Sequence, residues 1–334
     1  MWTVSLAEAI RRCETFEHFA DEQLEKLADC MSHSRFPVGA KVLQHGDPTR
    51  DAYLIEDGRV RIQRETSYGA FEIAVLESGD LFGETCFVDG GERTGDAVAV
   101  VESDLLAMNP VAVEAVAERD SQFELALYWA FWKSLSSKLR QTNERLTRFF
   151  SESGGPATAS ATPPPVSAGD FRVELTDKRK LFEEQKLSNL EINFLTSLSK
   201  ERKIGSGEVI FREGDVGDEM FVVLDGRVMI SKYIPGAGEE ALAFLERGDW
   251  FGEMALIDGK PRSADAKADR RGAVVLVIPR DVVGGILDIK KVSSPRLLKL
   301  LCSLIARRLR ELDEKIVGWF IIAGGQGGQD GRLE

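Results

Sequence analysis

Gly79-Asp80-Leu81-Phe82-Gly83-Glu84 and Gly248-Asp249-Trp250-Phe251-Gly252-Glu253 are one hexapeptide pattern written twice, 169 residues apart. Working outward, Asp57-Gly58-Arg59-Val60 returns as Asp225-Gly226-Arg227-Val228, and His45-Gly46-Asp47 returns as Glu213-Gly214-Asp215, both at an offset of 168. The extra residue falls between Tyr233 and Glu240, where Ile234-Pro235-Gly236-Ala237-Gly238 reads as a hairpin loop. Insertions are tolerated in such loops because few contacts depend on them. Matches in register at several separated places establish an internal repeat, so one structural unit is present twice.

Each repeat follows one plan. Alternating apolar positions in Ala52-Tyr53-Leu54-Ile55 and Val60-Arg61-Ile62, and in Met220-Phe221-Val222-Val223-Leu224 and Val228-Met229-Ile230, read as strands. Turns at Gly46, Gly58, Gly79 and their partners punctuate them, at about the 8–12-residue spacing of an all-β sandwich or barrel. Residues 121–150 and 295–320 instead carry apolar residues at three- and four-residue steps, as in Leu135, Leu139 and Leu146, and in Leu301, Ile305, Leu309, Leu312 and Ile316. That is the period of a helix buried along one face. Ser151 to Gly169 contains Gly154-Gly155, Pro163-Pro164-Pro165 and many Ala and Ser, the composition of a linker. Trp319, Phe320, Ile321 and Ile322 are unusually apolar and are expected to pack back on a domain or to meet a partner. The division expected is a first domain over 1–150, a linker over 151–169, a second domain over 170–323 and a mobile tail over 324–334.

A chain of 334 residues with 43% hydrophobic and 29% charged residues has the size and balance of a two-domain soluble globular protein. No run approaches the roughly 20 apolar residues that span a bilayer. The stretch from Met1 to Glu8 lacks the basic-then-apolar layout of a secretory signal. Cys13, Cys30, Cys86 and Cys302 are scattered and read as free thiols, and three His leave little scope for zinc. Cytoplasm is the expected location. The net charge of −12, from 43 basic and 55 acidic residues, argues against a nucleic-acid partner. Lys290-Lys291 and Arg307-Arg308 read as solvated helix ends. The sequence holds no G-x-S-x-G, P-loop, kinase signature or metal-spaced His pair. The expectation is therefore a non-catalytic protein without cofactor or metal. Too few residues follow the second long helix for a helix-turn-helix, so no DNA-binding domain is expected.

The chemistry sits just after the repeated hexapeptide. In the second repeat Phe251-Gly252-Glu253-Met254-Ala255-Leu256 precedes Pro261-Arg262-Ser263-Ala264; in the first, Phe82-Gly83-Glu84-Thr85-Cys86-Phe87 precedes Glu92-Arg93-Thr94-Gly95. These residues suit a cyclic phosphodiester. Glycine at the mouth of a short helix lets backbone N–H groups approach phosphate oxygens, and the helix N-terminus favours negative charge. An arginine nine residues after the glutamate can return to the same pocket and bind the phosphate. The acceptor-only carboxylate can take a ribose hydroxyl while orienting that arginine.

On these motifs both repeats resemble the cyclic-nucleotide-binding domain family, whose phosphate-binding cassette reads F-G-E-x-A-L with P-R-x-A a few residues on. The resemblance covers about residues 16–150 and 175–320. It implies an α+β, mainly β, architecture: two tandem eight-stranded β-rolls of jelly-roll type, each with flanking helices including a C-terminal capping helix. It also implies one cyclic nucleotide, cAMP or cGMP, per domain. Glu84 and Glu253 would take the ribose 2′-hydroxyl, and Arg93 and Arg262 the phosphate. The backbone at Gly83, Cys86, Gly252 and Ala255 would line the cassette. Thr94 and Ser263 stand where a hydroxyl reaches the phosphate or the guanine amino group. The segment Leu139-Arg140-Gln141-Thr142-Asn143-Glu144-Arg145 resembles the base-contacting helix of bacterial catabolite activators and would put Thr142 and Asn143 over the first base. Leu312 and Asp313 would stand there in the second domain, Leu312 as an apolar cap. The first cassette departs from the motif at Cys86, Glu92 and Gly95, whereas the second keeps all three positions. Both carry an Asp three residues after the arginine, Asp96 and Asp265; facing the pocket these would repel phosphate, and facing outward they would not. The function implied is a sensor that changes conformation to control an unidentified protein effector, with self-association left open. The alternative is a pair of rolls that have lost the nucleotide and serve as a structural or interaction module.

Overall fold

The computed structural model describes residues 6–153, 174–234, 238–287 and 295–324. The linker residues 154–169, loop residues 235–237, Lys290-Lys291 and the tail beyond 324 lie outside the described residues.

In the first repeat α1 (Leu6–Arg11) and α2 (Asp21–Asp29) precede β1 (Met31–Phe36), β2 (Lys41–Leu43), β3 (Ala52–Asp57), β4 (Arg59–Thr66), β5 (Gly69–Glu77) and β6 (Leu81–Phe82). Then come α3 (Glu84–Asp89), β7 (Asp96–Ala99), β8 (Ser103–Met108), α4 (Pro110–Ala117) and α5 (Ser121–Ser153). The second repeat opens with α6 (Leu175–Glu184) and α7 (Asn189–Leu198), followed by β9 (Lys200–Ile204), β10 (Val209–Phe211), β11 (Glu219–Ile234), β12 (Gly238–Leu245) and β13 (Trp250–Phe251). It closes with α8 (Glu253–Asp258), β14 (Asp265–Pro279), α9 (Arg280–Leu287) and α10 (Arg296–Ile322).

The strands of the first repeat form two four-stranded sheets, ordered β1-β8-β3-β6 and β2-β7-β4-β5. Their apolar alternation feeds one shared cluster of Leu43, Ile55, Val60, Leu76, Phe82, Ala97 and Leu105. This is the eight-stranded roll expected. In the second repeat six strands draw the same path. β11 covers the stretches matching β3 and β4, and β14 those matching β7 and β8. Register shifts around Val223–Asp225 and Gly226–Val228 let β11 bend while staying paired with β14. The second core gathers Phe221, Val223, Val228, Leu245, Phe251, Val275 and Val277 among others. In both rolls the cassette phenylalanine is a core residue: Phe82 stacks on Tyr53 with ring centres 5.1 Å apart, and Phe251 stacks on Phe221 at 5.0 Å. The buried ring fixes where the following glycine and glutamate emerge.

Packing divides the chain into two compact units whose boundaries do not follow the repeats. One unit is Met1–Leu139 with Ile305–Glu334; the other is Arg140–Leu304. This differs from a cut near residue 150. α5 is 33 residues long, about 50 Å at 1.5 Å per residue. Its part through Leu139 belongs with the first roll and its remainder with the second. α10, of 27 residues, is shared the opposite way, with Ile305 onward in the first unit. Leu135, Leu139 and Leu146 are buried, as are Leu301, Ile305, Leu309, Leu312 and Ile316. The helical period thus marked a buried face and carried no information about which roll buries it. Phe320 packs on Phe71 of the first roll at 4.7 Å, while Ile322 stands exposed. No helix of the described residues is long and apolar enough to cross a membrane. The four cysteines are unbridged.

Candidate functional site

In the second unit α8 is capped at its start by Gly252, whose φ of +76° suits glycine. A side chain there would also strike Arg262, because a Cβ would lie 2.6 Å from Nη1. The close approach has a use: Arg262 Nη1 donates to the Gly252 carbonyl at 2.5 Å and Nη2 to the Glu219 carbonyl at 2.6 Å. The guanidinium carbon lies 4.2 Å from the centre of the Phe211 ring. Arg262 is 6% exposed, and its Nε has no hydrogen-bond partner among the described residues. Burial pulls this guanidinium below the ordinary arginine value, against the more distant carboxylates of Glu253, Glu219, Asp215 and Asp218. Glu253 and Ala255 are buried on the same helix, and Ser263 is half-buried beside Arg262.

The first unit repeats the arrangement on α3. Gly83 has φ +80°, and Arg93, 3% exposed, donates from Nη1 to the Gly83 carbonyl at 3.1 Å and from Nη2 to the Asp51 carbonyl at 2.7 Å. Here Nε does have a partner, the Thr49 hydroxyl at 3.2 Å. Gly217 occupies the matching place in the second unit, and a Cβ on it would lie 2.7 Å from the Arg262 guanidinium carbon. Glu84 is fully buried. Its Oε1 accepts from Ser134 Oγ at 2.8 Å and from Lys138 Nζ at 2.5 Å, while Oε2 has no partner among the described residues. Lys138 donates as well to the Leu81 carbonyl at 2.6 Å, tying α5 to the entry of the cassette. Cys86 is a small buried residue whose thiol donates to the Glu92 carbonyl. Thr94 is half-buried, and its carbonyl accepts from Arg64, which also pairs with Glu314 of α10.

The two aspartates are placed alike. Asp96 accepts from the His45 N–H and from Lys41 Nζ, each at 2.8 Å; Asp265 accepts from the Glu213 N–H at 2.6 Å. Each carboxylate is committed to the backbone at the end of the second strand of its repeat rather than to the neighbouring arginine.

The helix residues are distributed differently from the expectation. Thr142 and Asn143, expected over the first base, are buried in the second unit, and Leu312, expected over the second, is buried in the first. The cause is the shared ownership of α5 and α10. In the second unit Arg140 donates to both Asp258 oxygens at 2.8 and 3.0 Å and to the Pro261 carbonyl at 2.9 Å. In the first unit Arg310 makes the matching bonds, to Asp89 at 2.8 Å and to the Glu92 carbonyl at 2.5 Å. Sequence reasoning passed over both arginines, together with Lys138 and Thr49. One signal was available: Leu-Arg at 139–140 recurs at 309–310, and Asp-Gly at 89–90 recurs at 258–259.

A family model described as the cyclic nucleotide-binding domain matches residues 33–120 and again residues 201–289. The chain belongs to this family. The cyclic nucleotide-binding domains of this chain are similar to several known proteins. The cGMP-dependent protein kinase egl-4 of Caenorhabditis elegans is 22% identical over 283 residues, covering 84% of this chain and 30% of that protein. The Cyclic AMP receptor protein of Thermus thermophilus is 33% identical over 123 residues, covering 37% of this chain and 55% of that protein. The regulatory domain of Toxoplasma gondii PKA, solved with cAMP, is 17% identical and matches 86% of this chain and 94% of that one with a TM-score of 0.32. This chain spans under a third of the length of the kinase relatives.

Proposed function

We propose that this chain is a non-catalytic cyclic-nucleotide sensor that takes one cAMP or cGMP in each roll and passes the bound state to a protein effector. The observation that carries the reading is the state of the two cassette arginines. Arg93 and Arg262 are nine-tenths buried cations held by backbone carbonyls and one hydroxyl, with no carboxylate in hydrogen-bonding reach among the described residues. A buried charge is ordinarily paired with an opposite one. A phosphodiester anion supplies that pair, and the unpartnered Nε of Arg262 gives it a donor. The vacant Oε2 of Glu84 is an acceptor for a ribose 2′-hydroxyl, and Glu253 has the matching position in the second roll. The backbone of Gly83, Cys86, Gly252 and Ala255, with Thr94 and Ser263, completes the two cassettes. The base lids follow the units: Leu312 in the first, Thr142 and Asn143 in the second.

The pairing of Asp96 with Lys41 and the backbone hydrogen bonds that hold Asp96 and Asp265 support this reading over the interaction-module alternative. Signalling requires that ligand bind one arrangement of the helices more tightly than another. No catalytic step is assigned, and the effector is a separate protein of unidentified class.

Isothermal titration calorimetry of the whole chain with cAMP and with cGMP tests this. Saturable binding is expected, and Arg93→Ala and Arg262→Ala should each weaken one site by roughly 30-fold or more, the cost of losing a charge-assisted phosphate contact. Absence of heat with both nucleotides overturns the reading.

A further inference from the structure

Arg140 and Arg310 occupy the same place in their repeats and make the same bonds, but each makes them to the cassette of the other repeat. Arg140, encoded in the first repeat, grips Asp258 and the Pro261 carbonyl. Arg310, encoded in the second, grips Asp89 and the Glu92 carbonyl. Asp258 and Asp89 end the cassette helices α8 and α3. Pro261 and Glu92 immediately precede the phosphate arginines, so the gripped carbonyls belong to the peptide bonds that lead into Arg262 and Arg93. The other side of each of those peptides is also held: Arg93 N–H donates to the Asp47 carbonyl at 3.0 Å, and Arg262 N–H to the Asp215 carbonyl at 2.9 Å.

We propose that Arg310 is the positioning residue for the nucleotide site of the first roll and Arg140 for that of the second. Each arginine ties three points together: the last turn of the cassette helix, the loop after it and a long helix. A forked guanidinium does this with fixed geometry, which a lysine cannot reproduce. The peptide entering the phosphate arginine is then clamped from both sides, so the guanidinium is aimed before ligand arrives. Preorganisation of this kind lowers the ordering cost of binding. Side-chain exposures of 13% for Arg140 and 25% for Arg310 put both clamps in partly desolvated surroundings, where such bonds exceed the strength of a surface ion pair. The consequence is a crossed dependence, in which each site answers to a residue encoded in the other repeat.

This inference rests on the ligand reading above, and single-site backgrounds separate the two. Arg262→Ala leaves the first site alone, and Arg93→Ala leaves the second. In the Arg262→Ala background, Arg310→Ala should raise the Kd for cAMP or cGMP, whichever the wild type binds more tightly, by about tenfold. Arg140→Ala should leave that Kd within about twofold, the precision of such a titration. In the Arg93→Ala background the two variants should exchange effects. Arg310→Lys and Arg140→Lys should fall between alanine and wild type. If an arginine variant fails to fold, Asp89→Asn and Asp258→Asn loosen the same clamps from the other side, and their effects should follow the site they adjoin. Arg140→Ala acting on the first site, or all variants acting equally on both sites, overturns the crossed assignment while leaving the ligand reading standing. Absence of binding by the unsubstituted chain overturns the ligand reading and this proposal with it.

Discussion

Asp96 stands three residues after Arg93, and its carboxylate is committed to Lys41 and the His45 N–H. Burial alone pushes this carboxyl up, but the Lys41 ammonium and the His45 N–H outweigh burial and hold it below the ordinary carboxylate range. A carboxyl whose pKa is lower folded than unfolded stabilises the fold above the unfolded value of about 4 and loses that contribution as pH falls through the lowered folded value. Asp96→Asn should therefore be less stable than wild type at neutral pH. The gap between the two should narrow as pH drops from about 5 toward 2, where Asp96 takes up its proton. Urea denaturation at a series of pH values checks this, and a gap that stays constant would show that the Asp96 charge contributes nothing. At this scale the sequence was informative about residues that lie close together along the chain. Gly83, Glu84 and Arg93 fall within eleven positions, and the structure does bring Arg93 onto the Gly83 carbonyl. Thr49, between β2 and β3, and Phe211, at the end of β10, reach the arginines from far upstream, so local spacing held no trace of them.

Glu191 shows how one side chain can set two elements. Its Oε2 accepts from the Ser188 N–H at 2.7 Å in a capping box that starts α7, and its Oε1 accepts from the Leu297 N–H at 2.7 Å, at the start of α10. Helix N-termini present donors with no partner inside the helix, and a buried one costs its full desolvation if its acceptor is removed. Ser188→Ala should cost about 1 kcal/mol, the usual worth of an N-cap. Glu191→Ala should cost about 2–3 kcal/mol, because it strands a buried donor on a second helix as well. Equal losses for the two variants in urea melts would mean that the Leu297 contact contributes little. The helices themselves were legible, since the three- and four-residue steps of Leu135, Leu139 and Leu146 and of Leu301 through Ile316 are all buried. Their partners were not. Both repeats carry the same kind of stripe, so an apolar face fits either roll as far as periodicity can tell. Thr142, Asn143 and Leu312 were assigned to their own repeats by the resemblance to the family's capping helix, and the packing assigns them to the other units.

At the scale of the whole chain, order in sequence and order in space part company. The first compact unit draws on residues through Leu139 and then on Ile305 onward. Arg310 and Glu314 bind its cassette and Arg64, and Phe320 lies against Phe71. Removing residues 305–334 should therefore injure the roll that lies furthest from the cut along the sequence. Losing the buried side chains of Ile305, Leu309, Leu312, Ile316 and Phe320 together with the Arg310 and Glu314 clamps should cost that unit on the order of 10 kcal/mol, comparable to the 5–15 kcal/mol that holds a typical domain. The expected signature is selective. Hydrogen exchange of the deleted chain should rise across β4 and β5 and around α3, and ligand heat should vanish first from the site that depends on Arg93. The Arg262 cassette should hold better, because Arg140 and Asp258 are both retained. If the deletion instead loosens the second roll and spares the first, α10 beyond Ile305 serves its own repeat, and the division of the chain into these two units fails.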